Sequence, residues 1–289
     1  MSEARERDRV SRGTIGVLAF PVAALLVFFV GPFLIMTAAS FYRRIPGGFY
    51  EAAFVFDNWR ELASRLVVDR VWFSVQISAV AAIVCIAVAF PFTYFVTTMR
   101  RRHQVVLLVL VLSALSLSEV IHGFAWSVIL GRAAGIGNLL AWAGFADEAP
   151  AFAPGYVAVL LGLCSIAFPY CVLTLYPQLS RLDREVTEAA RTLGASPWRT
   201  FRTVVVPIAR PALVAGTLLV FVFTLGSYLI SSILGRPEHW TLSVFISDQA
   251  SFNANVPLAS AMAIGLTVLS LAIVGAVLAS ERRAARRAA

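Results

Sequence analysis

The chain has 289 residues, 59% of them hydrophobic and only 14% charged, with a mean hydropathy of +0.81, which is too apolar for a water-soluble domain and indicates a polytopic membrane protein. Its formal net charge of +8 comes from arginine alone, since the sequence has no lysine. The arginines flank apolar runs, where they act as topology signals and not as a nucleic-acid face.

Residues 1 to 13 mix Arg5, Arg7, Arg9 and Arg12 with Glu3, Glu6 and Asp8 and read as a cytoplasmic tail. The first span runs from about Thr14 to Ser40, longer than the roughly 20 residues needed to cross a bilayer and too long for the apolar part of a cleaved signal peptide. Gly31-Pro32 is expected to kink it. Residues 42 to 70 form the longest polar connection, and a second span, about Val71 to Thr98, contains Pro91 and stops at Arg100-Arg101-Arg102-His103.

The third span, about Val105 to Ile129, holds Glu119, the one acidic residue embedded in an apolar run, with His122 three residues later. As one straight helix it places Glu119 about 21 Å from Val105, past the middle of a roughly 30 Å hydrocarbon core. A carboxylate at that depth costs about 2.5–3.5 kcal/mol on insertion scales, so it must face protein or water. Two roles stay open. Glu119 and His122 brace neighbouring helices, or Glu119 lines a solute path with Trp126 and Tyr228 near it, offering a cation a counter-charge and aromatic faces.

Residues 131 to 153 return to the outer side and include the short apolar piece GIGNLLAWAGF. The remaining spans are expected at about Pro154 to Tyr176, with Pro169 inside, at about Ala209 to Leu234, and at about Val256 to Ser280, before the tail ERRAARRAA. With both termini inside, seventeen of the 24 arginines fall on inner segments, as the positive-inside rule requires. No internal repeat and no pair of broken helices in corresponding positions is visible, so the six spans read as one all-α transmembrane domain covering residues 1–289. Trp72, Trp142 and Trp240 read as interfacial anchors. Cys85, Cys164 and Cys171 lie in apolar runs without metal-ligand spacing and read as small packing residues.

Between the fourth and fifth spans, residues 181 to 207 are charged and ordered. Ser180 or Asp183 can cap a helix on which Val186, Ala189, Ala190 and Leu193 share one face, and Gly194 ends it in the left-handed conformation. Ser196 and Pro197 then start a second helix with Trp198, Phe201 and Val205 on one side, and Pro207 is expected to close it. The product is a two-helix elbow.

Here the sequence resembles a known family. Glu188-Ala189-Ala190, three residues, Gly194, nine residues, then Val204-x-Val206-Pro207 resembles the EAA loop of ABC importer permeases, with valine where that family usually has isoleucine and leucine. FDNWREL at Phe56–Leu62, EVIHGFAW at Glu119–Trp126 and LGSYLISSILG at Leu225–Gly235 are similar to segments of spermidine/putrescine-type permeases, and GIGNLLAWAGF resembles the family's lateral helix. His122 stands where those permeases often have arginine.

The resemblance implies a multi-pass subunit of a bacterial inner membrane whose cytoplasmic elbow, through Glu188, Ala189, Ala190, Gly194 and Pro207, docks on a dimer of separate ATPase subunits. A second permease, related but different, and an extracytoplasmic solute-binding protein complete the implied assembly. The solute is polyamine-like, or alternatively an amino-acid derivative, a phosphonate, a metal or an oxyanion. ATP is bound by the partner, because a P-loop requires a lysine that this chain does not have. No cofactor or metal is expected on the chain itself. A membrane enzyme is the poorer reading, since His103, His122 and His239 are scattered without a paired acidic or His/Cys cluster, and an ATPase-independent channel is the remaining alternative.

Overall fold

The computed structural model describes residues 20–288 apart from 46, 49, 133–134, 145–147, 149 and 183. The expected N-terminal tail at 1–13, the first residues of the first span and the candidate cap Asp183 lie outside the described residues. The described residues are helical almost throughout, and Arg43 and Glu51 form an isolated antiparallel bridge.

In chain order the helices are α1 (Phe20–Ala39), α2 (Asp57–Glu61), α3 (Arg65–Thr98), α4 (Arg101–Leu115), α5 (Glu119–Ile129), α6 (Ile136–Trp142) and α7 (Tyr156–Leu179). They continue as α8 (Arg184–Thr192), α9 (Pro197–Gly226), α10 (Leu229–Leu234), α11 (Leu242–Ser251) and α12 (Val256–Ala288). Five of them, α1, α3, α7, α9 and α12, are long and apolar enough to cross a membrane, and α4 with α5 makes a sixth candidate.

Contacts divide the chain into two compact units, residues up to Ser64 with Ile246–Thr267, and Arg65–Phe245 with Val268–Ala289. In the first, Asn58 Nδ2 donates to the Ser40 and Tyr42 carbonyls at 2.9 and 2.8 Å, satisfying carbonyls just past the end of α1. Phe41, Phe54, Phe56 and Trp59 stack beside them. Arg44 donates to the Asn253 carbonyl at 2.7 Å.

The second unit is built on close packing of α3, α7, α9 and α10. Ile77, Ala81, Ala158, Val159, Leu163, Ile230 and Leu234 are buried in one cluster. Lipid tails are as apolar as these side chains, so the contact is held by close approach more than by water exclusion, and small residues set the distances. A Cβ on Gly162 of α7 would lie 2.6 Å from Leu234 Cδ1 and 2.8 Å from Ile230 Cγ2, both on α10, and one on Gly123 of α5 would lie 2.8 Å from Ile233 Cδ1.

Several expected boundaries are corrected. The third span is not one straight helix: α4 and α5 meet at 96° across Ser116-Leu117-Ser118. The bend arises because Ser118 adopts an extended backbone (ψ 143°) and its Oγ accepts the Val120 N–H at 3.3 Å, starting a new helix with Glu119 in its first turn. The expected fifth span is interrupted as well, since α9 stops at Gly226 and α10 starts at Leu229. Two of the expected spans are therefore interrupted, and the helices that follow the breaks, α5 and α10, pack together.

Pro207 does not close the second limb of the elbow. That limb runs unbroken into the fifth span as α9. A π-turn at Phe201–Val205, in which Val206 N–H bonds Phe201 C=O, precedes the proline and absorbs its missing donor. The same device stands at the place of the expected kink in α1, where a π-turn at Leu26–Val30 has Gly31 N–H bonded to Leu26 C=O just before Pro32. The second span starts at Arg65 rather than Val71, and the last helix continues through the arginines of its tail to Ala288.

Candidate functional site

Two places in the second unit carry the sequence candidates. At the elbow, Gly194 has φ +84°, the Ala195 N–H bonds the Ala190 carbonyl at 3.1 Å and the Gly194 N–H bonds the Arg191 carbonyl at 3.0 Å. This pair of bonds is a Schellman end, which only a residue tolerant of positive φ closes without strain. Two residues on, Ser196 Oγ accepts the Arg199 N–H at 3.3 Å and Pro197 takes the first helical position, so α8 ends and α9 begins within five residues.

The two limbs differ in what they touch. On α9, Phe201 stacks on Trp198 at 5.6 Å and lies 5.1 Å from Phe90 and 5.3 Å from Tyr94, both on α3, while Thr200 and Val205 are buried. On α8 the apolar stripe is left open: Val186 and Ala189 are exposed and Leu193 is 89% exposed, with Glu188 exposed beside them and Ala190 half-buried. Trp198 presents 71% of its surface next to that stripe. An apolar face of this kind on a polar loop marks a contact surface.

At the other place, the break between α4 and α5 opens a cleft of about 80 Å³ lined by Leu115, Glu119, His122, Ser165, Tyr170 and Phe223 among others. The structure brings Glu119 and His122 to it but does not pair them, because the His122 Nδ1 lies 3.3 Å from the Ser118 carbonyl one turn back. Glu119 is half-buried at a helix start, not deep in a straight span. A carboxylate in a first helical turn also meets the amide dipoles of α5, an effect of about 0.3–1 kcal/mol and smaller than the insertion cost expected from the sequence.

Trp126 reaches the cleft through a neighbour: its Nε1 donates to Ser165 Oγ at 2.8 Å, and Ser165 Oγ donates to the Gly162 carbonyl at 2.8 Å. Tyr228 sits in the interruption between α9 and α10, half-exposed, and is not among the residues lining the cleft.

Sequence reasoning missed Ser165, Tyr170 and Phe223. The rings of Tyr170 and Phe223 lie 5.0 Å apart at the cleft wall. Pro169 has no N–H to give the Ser165 carbonyl four residues earlier, so the usual intrahelical bond is missing in the same wall. The spacing Ser165-x-x-x-Pro169 was the available signal. Together, a carboxylate, a hydroxyl and two rings can receive a small cation by charge, hydrogen bonds and ring faces.

Comparison with known proteins matches these features to one family. Residues 151–286 fit the model described as "Binding-protein-dependent transport system inner membrane component". The chain is 30% identical over 245 residues to the spermidine/putrescine transport system permease protein PotB of Haemophilus influenzae, covering 84% of this chain and 86% of that one. It belongs to the binding-protein-dependent ABC importer permeases.

The permease is also 27% identical over 248 residues to PotB of Escherichia coli (strain K12), covering 86% and 90% of the two chains. In fold it is similar to a chain of a bacterial alginate ABC transporter solved in complex with alginate pentasaccharide-bound periplasmic protein, with a TM-score of 0.78 at 16% identity, covering 96% of each chain. It is thus a multi-pass inner-membrane protein, all-α, in a transporter family. The elbow and the whole of α7, α9 and α10 fall inside the matched family region, whereas Glu119, His122 and Trp126 lie outside it.

Proposed function

We propose that this permease moves a small organic cation of the polyamine type inward by alternating access, driven by separate ATPase subunits that dock on the elbow. The observation that carries the reading is the pairing of an outward-turned apolar stripe on α8 with a cleft whose one acidic lining residue is Glu119. A cation gains a counter-charge at Glu119, a hydroxyl at Ser165 and ring faces at Tyr170 and Phe223. The PotB relatives, named for spermidine and putrescine transport, support that solute class.

On this reading the elbow and both termini face the cytoplasm, in agreement with the arginine distribution. Ala189 and Ala190 let α8 seat closely in a cleft of the ATPase, Glu188 meets a basic group there, and Gly194 sets the angle between the limbs. Pro207 stiffens the start of the fifth span behind its π-turn. ATP is bound by a dimer of ATPase subunits, one per permease, so a second permease, related but different, completes the channel. An extracytoplasmic binding protein delivers the solute, consistent with the periplasmic protein in the alginate transporter complex. His122, Trp126 and Tyr228 support the path: Trp126 holds Ser165 in place, and Tyr228 sits at the interruption where α9 gives way to α10.

The test is co-purification followed by uptake. The tagged permease, expressed with its partners, should bring down a stoichiometric ATPase, and proteoliposomes holding its binding protein should take up radiolabelled putrescine or spermidine. A permease purified alone and transporting without ATP would be a channel. ATP-driven uptake of sulfate or an amino acid in place of either amine would keep the coupling and replace the solute.

A further inference from the structure

Near the root of the elbow three helices are tied together at one side chain. Gln104, in the first turn of α4, donates from Nε2 to the carbonyls of Thr97 at 3.1 Å and Met99 at 2.8 Å, and its Oε1 accepts the Tyr176 hydroxyl at 2.9 Å. Thr97 and Met99 lie at the end of α3, where helix carbonyls have no intrahelical donor. Tyr176 lies in the last turn of α7, just before the chain enters the elbow. A single amide therefore fixes the turn between α3 and α4 and fastens α7 to it.

Both limbs of the elbow reach this knot. A cavity of about 160 Å³ beside it is lined by Tyr94, Gln104, Leu182 and, from α8, Thr187. Tyr94 in turn meets Phe201 of α9 at 5.3 Å. From the knot two helices lead to the solute cleft: α4 carries Gln104 near one end and the cleft residues Ala114 and Leu115 at the other, about 15 Å away along the axis. In α7, Tyr176 stands at one end, with the cleft residues Tyr170 and Ser165 further back along the same helix.

We propose that the Gln104–Tyr176 hydrogen bond is the joint through which displacement of the elbow moves the walls of the solute cleft, with Gln104 and Tyr176 as positioning residues for transport. The proposal rests on the reading of the elbow as the ATPase dock. Close packing of small side chains holds helices together in lipid, and a part-buried hydrogen bond between two of them adds a fixed point to their relative height. With the bond, a pull on the end of α7 moves α4 as well and both cleft walls shift. Without it, α7 moves alone. The cavity gives Leu182 and Thr187 room to travel.

The experiment uses the complete importer in proteoliposomes, with Cys85, Cys164 and Cys171 replaced by alanine and Ala114→Cys introduced in the cleft wall. A membrane-impermeant maleimide reports access from the binding-protein side, with and without ATP and orthovanadate. The reference complex is expected to change its labelling rate on ATP–vanadate. Tyr176→Phe, which removes one hydroxyl, and Gln104→Leu should shrink that change about fivefold, the ratio carried by one neutral hydrogen bond, while the ATPase stays bound and active. An undiminished change in Tyr176→Phe overturns the proposal. So does loss of the change together with loss of the ATPase, or no change in the reference complex. Failure of the elbow reading has a different signature, namely an Ala190→Trp permease that still retains its ATPase.

Discussion

The elbow is closed by bonds between near neighbours, Ala195 to Ala190, Gly194 to Arg191 and Arg199 to Ser196, and it leaves most of its apolar stripe exposed. The cleft also begins at a helix start, capped locally by Ser118, but its walls come from α4, α5, α7 and α9, and its residues are held from a distance, as Trp126 holds Ser165. A surface that must fit a second protein can be written in one short stretch, because its shape is needed only on the outside. A path that must enclose a solute needs chain segments to converge, and those segments are free to be far apart in sequence.

If this contrast is right, the elbow should fail through assembly and the cleft through selectivity. The largest expected effect is at the dock. Ala190→Trp adds an indole to the seating face and Glu188→Lys reverses its charge, so each should reduce uptake to background and cut the co-purified ATPase, with the permease still present in the membrane at normal abundance. Normal uptake in both would remove the elbow from the coupling path.

Next comes the packing behind the cleft. Gly162→Val places a branched side chain where even a Cβ would lie 2.6 Å from Leu234 Cδ1, which forces α10 outward. Overpacking of this kind costs about 1–3 kcal/mol, read as a lower Tm of the detergent-solubilised permease. An unchanged Tm would mean that α10 gives way freely.

A smaller and more selective effect is expected at Glu119. Glu119→Gln keeps shape and hydrogen bonding but removes the charge, and should weaken uptake of a cationic amine about tenfold, the loss of one charge-assisted contact, while ATPase association and basal hydrolysis persist. Loss of assembly in that variant would return Glu119 to a bracing role. The smallest change concerns Trp126→Phe, which leaves Ser165 Oγ without its donor. About 1 kcal/mol is at stake, so uptake should fall several-fold with KM moving more than the maximal rate. A fall in the maximal rate alone would place Trp126 in the conformational cycle instead.

What the sequence determined by itself was what depends on neighbours and on the bilayer. The apolar runs specified helices because backbone groups in lipid must bond within their own segment, and Gly194, Ser196 and Pro197 specified the elbow because capping acts over a few residues. The break at Ser116–Ser118 was legible in principle from Ser118-Glu119, a start signal inside an apolar run, but a hydropathy window averages it away. Pro207 misled for the opposite reason: a π-turn one residue upstream shifts the hydrogen-bond register, and nothing in FRTVV announces it.

Only the tertiary structure decided which of these residues meet. Ser165, Tyr170 and Phe223 are unremarkable in sequence and become cleft residues because α7 and α9 pack side by side, at distances set by contacts as close as Gly162 against α10. Gln104 and Tyr176 read as ends of apolar runs until an amide is found bonded to three partners on two other chain segments. Composition and local patterns fix where a helix runs and where it stops, since those energies are paid between close neighbours along the chain. The direction a side chain faces, and what stands opposite, depends on packing between distant segments, for which a single sequence carries no local signal.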